Sequence, residues 1–107
     1  MVTNIRSFSN QSDRSAIALN AENLGNSFWI HSLGSVDTSL WISYHNENPL
    51  ILSTKKGVCH IVDQNWQVRG QWEGGSTVVF LDGGNQGVGG EITVNIDGNG
   101  EISMAKK

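Results

Sequence analysis

Short runs in which polar and apolar residues alternate, separated by glycine, asparagine and aspartate, recur along the whole chain. Alternation places successive side chains on opposite faces of a strand, and the separating residues favour turns. No stretch shows the 3.6-residue apolar period of a helix, and the 13 glycines disfavour helices further. Roughly seven to nine short strands, spaced about 8–12 residues apart, predict an all-β antiparallel sandwich, with a small β-barrel as the alternative.

The length of 107 residues predicts one domain covering residues 1–107, with residues 1–14 expected to be irregular or weakly extended. The first two strongly alternating runs, 27–32 and 38–45, are separated by five residues and predict a β-hairpin. The remaining predicted strands are 15–20, 50–53, 58–62, 66–72, 76–81, 91–96 and 101–104.

Charge is sparse in this chain, at 16% of residues, and the formal net charge is −3. The only adjacent basic pairs are Lys55-Lys56 and Lys106-Lys107, which are expected to lie in a solvated turn and a tail. Nucleic acid is therefore not an expected partner, because a phosphate backbone requires clustered lysine and arginine. The first residues lack the apolar region of a signal peptide, so a soluble protein is expected, cytoplasmic or released without a recognisable signal.

Two five-residue segments resemble each other: Ser27-Phe28-Trp29-Ile30-His31 and Ser39-Leu40-Trp41-Ile42-Ser43. On paired strands, Phe28, Ile30, Leu40 and Ile42 would share an apolar face, and the opposite face would carry Trp29, His31, Trp41 and His45. Indole rings beside hydrogen-bonding side chains suit a binding platform. The alternative is that a strand, a loop or a partner subunit covers this face.

The glycine-rich segment 83–90 is a second candidate binding region. It lacks the lysine and the following helix of a phosphate-binding loop. Its glycines favour tight turns, and Asp82, Asn85 and Glu91 offer oxygen and amide groups to sugar hydroxyls. These three residues complete the predicted ligand-binding set.

No catalytic signature was found, and neither an enzyme activity nor a cofactor is expected. His31, His45 and His60 lack metal-ligand spacing, although adjacent strands could bring them together. The single cysteine, Cys59, is predicted to be a buried apolar side chain, because His60 would point to the opposite face.

The segment 95–102 resembles the first eight positions of a calcium-binding EF-hand loop. Asn95 stands where that loop has aspartate, and Lys106 stands where a bidentate glutamate belongs. The Asp97-Gly98 and Asn99-Gly100 pairs are favoured in hairpin turns. A turn is therefore predicted here rather than a metal site.

Trp66 and Trp72 share one face of a predicted strand and are expected to pack in the core. Arg69 lies on the opposite face between Gln67 and Gln71. Its guanidinium could recognise a carboxylate or a phosphate with two hydrogen bonds, or it could be a solvated strand residue.

Residues 66–96 have a pattern similar to that of aegerolysin-like and haemolysin-like β-sandwich proteins. The matching features are Trp72, Gly75-Ser76-Thr77, Phe80, the glycine-rich segment and Gly90-Glu91-Ile92-Thr93. The chain is shorter than members of that family and lacks their later Trp-Cys-Pro segment. The resemblance implies recognition of membrane lipids without enzymatic activity.

The sequence as a whole predicts a non-enzymatic protein that binds a glycan or a lipid headgroup. A glycan is favoured because the polar residues are rich in Asn, Gln, Ser and Thr, whereas anionic membranes favour basic surfaces. The alternative is a protein-binding module, such as an inhibitor or a toxin-neutralising partner, with the tryptophans as its contact patch. Peripheral membrane contact and homo-oligomer formation remain open.

Overall fold

Ten strands form the regular structure of the computed structural model, which describes residues 3–20, 24–42, 49–64, 67–83 and 90–107. A single 3-10 turn, Leu24–Asn26, is the only helical element among these residues. The strands are β1 (Thr3–Asn10), β2 (Ala16–Asn20), β3 (Phe28–Ile30), β4 (Ser35–Ile42), β5 (Leu50–Ser53), β6 (Val58–Gln64), β7 (Gln67–Trp72), β8 (Thr77–Asp82), β9 (Gly90–Ile96) and β10 (Ile102–Lys106).

The strands form two sheets that pack face to face. One sheet has four strands in the order β10-β9-β1-β4, and the other has six in the order β3-β2-β5-β6-β7-β8. No described strand pairs across the two sheets to close a barrel, so the predicted sandwich is confirmed. The strand pairs are antiparallel with one exception, because β1 and β9 run parallel.

Alternation along the strands fills the space between the sheets with apolar side chains. Phe8 of the four-stranded sheet meets Phe28 of the six-stranded sheet edge to face, with ring centroids 5.5 Å apart. The fully or nearly fully buried apolar residues are Ile5, Phe8, Ala16, Ala18, Ile30, Leu40, Ile42, Leu50, Leu52, Cys59, Ile61, Val68, Trp72, Ile92, Val94, Ile96 and Ile102. The predicted burial of Cys59 and Trp72 is confirmed, whereas Trp66 lies outside the described residues.

Part of the segment expected to be irregular or weakly extended forms a regular strand, β1, which lies between β9 and β4. Its two large apolar residues, Ile5 and Phe8, are three positions apart rather than two, and the register shifts between Ile5 and Ser7. An extra residue at a β-bulge breaks the alternation on which strand prediction depends. Thr3 and Asn10 are also buried, so a polar sequence occupies an interior strand.

The predicted hairpin between residues 27–32 and 38–45 is also wrong. β3 pairs with β2 in the six-stranded sheet, and β4 pairs with β1 in the four-stranded sheet. Residues 31–34 form a tight turn between the sheets, in which Gly34 N donates to His31 O at 3.0 Å. The alternation of a strand predicts that one of its faces is buried. Pairing within either sheet can bury that face, so alternation does not determine the partner strand.

The predicted turn between the last two strands is confirmed. Asp97 Oδ1 accepts hydrogen bonds from Asn99 N at 2.8 Å and from Glu101 N at 3.0 Å. Gly100 adopts a φ of +83°, and its Cα lies so close to the Lys56 backbone that no side chain would fit. None of the helical structure in the described ranges is long and apolar enough to cross a membrane.

Candidate functional site

The two tryptophans of the predicted platform lie on different sheets. Trp29 is on β3, at one edge of the six-stranded sheet, and Trp41 is on β4, at one edge of the four-stranded sheet. Each side chain is 57% exposed, as expected for residues on an outer face. The prediction of one continuous hairpin platform is therefore wrong, because each tryptophan belongs to a separate surface.

The other predicted residues are dispersed as well. His31 is exposed in the turn after β3, and Asp82 ends β8, at the edge of the six-stranded sheet opposite β3. Glu91 is exposed on β9. His45 and Asn85 fall outside the described residues. The five predicted residues that the structure describes are therefore spread over both sheets and the turn after β3.

Two of the predicted residues do lie on the same surface. Asn4 of β1 is in register with Trp41 of β4 on one side and with Glu91 of β9 on the other. Residues in register on adjacent strands share a face, so Trp41 and Glu91 flank Asn4 on the outer face of the four-stranded sheet.

An open cleft of about 490 Å³ lies where β4 faces the β2–β3 region of the other sheet. Phe28 and Leu40 supply its apolar surface, and Trp41 forms part of its wall. The other lining residues carry amide or hydroxyl groups and are Asn20, Asn26, Thr38 and Ser39. The described lining therefore combines the aromatic rings of Trp41 and Phe28 with neutral hydrogen-bonding side chains.

Hydrogen bonds hold the polar wall of the cleft in place. Asn4 Nδ2 donates to Ser39 Oγ at 3.1 Å, and Ser39 Oγ lies 3.3 Å from Asn4 Oδ1. On the opposite wall, the backbone N of Asn20, at the end of β2, donates to Ser27 Oγ at 3.2 Å. An anchored lining side chain such as that of Ser39 loses little conformational entropy when a ligand binds.

The indole of Trp41 is free to stack on a ligand. Across the described ranges, no aromatic ring or cation packs against it. Trp72 shows the contrast, since it is only 5% exposed and has Lys56 Nζ 4.6 Å from its ring centroid. Trp72 therefore has a packing role, whereas the exposed ring of Trp41 has the surface that a ligand requires.

The described lining of the cleft is uncharged. None of the seven lining residues within the described ranges is ionisable. Asp37 and Glu91 lie elsewhere on the outer face of the four-stranded sheet, and both are exposed. The cleft therefore suits a ligand that offers hydroxyl groups and C–H surface better than one that requires a counter-charge.

Sequence reasoning found Trp41 and Ser39 on one face but missed Asn20, Asn26 and Phe28 as neighbours of Trp41. No pattern in the sequence connects Asn26 or the end of β2 to β4. Only the arrangement of the two sheets brings these residues together.

The described residues contain no group of three His, Cys, Asp or Glu side chains that could hold a metal ion. Cys59 is fully buried, and burial raises the pKa of its thiol to about 12. The thiolate, the nucleophilic form of cysteine, is therefore scarce at neutral pH.

Comparison of the chain with protein-family models, with curated proteins and with solved structures gave no match.

Proposed function

We propose that this chain is a non-enzymatic carbohydrate-binding protein that holds a neutral glycan in the cleft beside Trp41. The observation that carries the proposal is the half-exposed indole of Trp41 on a cleft whose described lining residues have apolar, amide and hydroxyl side chains. An aromatic face offers apolar contact to the C–H surface of a sugar ring, and amide and hydroxyl groups bond its hydroxyls.

The dimensions of the cleft support a small ligand. Its volume of about 490 Å³ lies within the roughly 300–1,000 Å³ of typical ligand sites. Phe28 and Leu40 keep part of the surface apolar, while Asn26 and Ser39 contribute polar groups on opposite walls. A sugar ring has one apolar face and a rim of polar hydroxyls, so it matches a cleft with separate apolar and polar surfaces.

A lipid headgroup is the competing ligand, and the resemblance of residues 66–96 to aegerolysin-like proteins favours it. The lining of the Trp41 cleft favours a glycan instead, because none of its described residues is a cation that would pair with a lipid phosphate. Both ligand classes are consistent with a protein that performs no chemistry on its ligand.

A glycan array paired with vesicle flotation tests the proposal. We expect binding to one or more neutral glycans, no flotation with phosphatidylcholine vesicles, and loss of the array signal in Trp41→Ala. Trp29→Ala is the matched control, since Trp29 has the same exposure but lies on the other sheet. Flotation without glycan binding would overturn the proposal in favour of a lipid ligand.

The open edge of β4 favours a second candidate function, the binding of a protein segment. Among the described strands β4 pairs only with β1, so alternate backbone groups along its other side face outward. An extended peptide can add to such an edge as a further strand, with Trp41 beside it as an anchor. Failure to bind either glycans or vesicles would favour this function.

A further inference from the structure

A second cleft, of about 330 Å³, lies on the outer face of the six-stranded sheet. It spans β6, β7 and β8, and its walls include His60, Val62, Arg69, Gln71 and Thr77. This cleft shares no described lining residue with the Trp41 cleft, and it lies toward the β8 edge of the six-stranded sheet, away from β2 and β3. Nothing in the proposed glycan site uses it.

The cleft contains a cation without a partner. Arg69 is partly buried, and its side chain makes no hydrogen bond or ion pair with any residue in the described ranges. A guanidinium has five N–H donors in a planar fork and remains charged at any physiological pH. Partial burial of such a group is unfavourable until an anion or an acceptor pairs with it.

The polar neighbours of Arg69 are engaged elsewhere. His60 Nε2 lies 3.0 Å from Glu73 Oε1. Gln71 Nε2 donates to Gly75 O at 2.9 Å, and Gln71 Oε1 accepts from the hydroxyl of Thr77. These contacts hold the walls of the cleft in place and leave the guanidinium of Arg69 for a ligand.

Apolar residues flank Arg69 on both neighbouring strands. Val62 of β6 and Val79 of β8 are in register with it, and Val79 is 46% exposed. Apolar neighbours lower the local dielectric constant and strengthen an ion pair formed there. They also offer contact to the hydrocarbon part of a ligand.

We propose that this cleft binds the carboxylate or phosphate group of a small organic acid, with Arg69 as a bidentate donor. The planar fork of arginine matches two oxygens of either group. Val62 and Val79 contact the apolar body that carries the acid. This site is independent of the proposed glycan cleft, so each can fail without the other.

Nuclear magnetic resonance titration of the full chain with three probes tests the proposal. Hexanoate and hexyl phosphate carry the two acidic groups on the same chain, and hexanamide is the neutral control. We expect saturable shifts of backbone amides in β6, β7 and β8 with one or both acids. The acid that binds more tightly identifies the preferred oxyanion, and hexanamide is expected to bind at least ~10-fold more weakly.

Three variants assign the binding to Arg69. Arg69→Gln removes the charge and the fork, and we expect affinity for the acid to fall ~10-fold or more. Arg69→Lys keeps the charge without the fork, so an intermediate affinity is expected, and this variant decides the question if the glutamine variant does not fold. Arg14→Gln is the matched control, because Arg14 is an exposed arginine outside the cleft.

Three results would overturn the proposal. The first is the absence of saturable binding by either acid. The second is equal weakening by Arg14→Gln and Arg69→Gln, which would show a general charge effect. The third is binding of phosphatidic acid vesicles without binding of either soluble acid, which would assign the surface to a membrane instead.

Discussion

The hydroxyl of Thr3 on β1 donates a 2.6 Å hydrogen bond to Asp63 Oδ2 on β6, and this contact links the two sheets. Thr3 is fully buried and lies 60 residues from Asp63 in the sequence. Losing one partner of a partly buried hydrogen bond leaves the other group unsatisfied, which costs stability. The Thr3–Asp63 hydrogen bond therefore connects the first residues of β1, where Asn4 pairs with Trp41, to the six-stranded sheet.

Replacing Thr3 with valine keeps the shape of the side chain and removes this hydrogen bond. We expect the free energy of unfolding to fall by about 1–3 kcal/mol, because Asp63 loses a donor in a partly buried place. Urea denaturation measures the change. Thr3→Ser, which retains the hydroxyl, should lose less, and a valine variant as stable as the original would show that the contact contributes nothing.

Gly70 lies where a side chain would collide with the core. A Cβ atom there would be 2.7 Å from Cys59 Sγ and closer still to the Phe80 ring. Gly70→Ala is therefore expected to destabilise the fold by about 1–3 kcal/mol through overpacking. Gly98→Ala is the control, since a Cβ at Gly98 meets nothing within 4 Å. Similar melting temperatures for the two variants would contradict the tight packing at Gly70.

Cys59 should be inert in the native protein. Its fully buried thiol has a pKa raised to about 12, so the thiolate is negligible at pH 8. Labelling with a thiol-reactive disulfide reagent is expected only when the chain unfolds, at the rate of unfolding or opening. Rapid stoichiometric labelling in native buffer would show that Cys59 is accessible.

The turn at Asp97 is held by hydrogen bonds from backbone amides to the Asp97 side chain, and we expect it to form without a metal ion. Asp97→Ala removes the acceptor for the Asn99 and Glu101 amides and should cost about 1–2 kcal/mol. Asp97→Asn, which keeps an oxygen acceptor, should cost less. We expect neither EDTA nor calcium to move the melting temperature. A rise on adding calcium, reversed by EDTA, would show that the loop binds the ion.

Local alternation was enough to predict most strands and the sandwich. The turn residues around Gly98 and Gly100 predicted the last hairpin, and the alternation at Cys59 predicted its burial. Each of these features depends on neighbours in sequence or on one buried face, which the sequence shows directly.

Pairing between distant segments could not be predicted in the same way. β1 is polar, and its bulge between Ile5 and Ser7 breaks the alternation, so its central position depends on β4 and β9. The two similar segments around Trp29 and Trp41 predicted a hairpin, but β3 pairs with β2 in one sheet and β4 pairs with β1 in the other. The residues that line the Trp41 cleft come together only through this arrangement. They could therefore be identified only once the strand order of the two sheets was known.

The central claim is that Trp41 carries glycan binding, and isothermal titration of the matched alanine variants tests it most directly. The ligand is the best neutral glycan from the array, and the melting temperature is measured beside each affinity. Both tryptophans are 57% exposed, so neither substitution should leave a core cavity, and both variants should melt close to the original protein. We predict that Trp41→Ala weakens the affinity ~10-fold or more, while Trp29→Ala leaves it unchanged. Unchanged affinity in Trp41→Ala, or equal loss in both variants, would contradict the account.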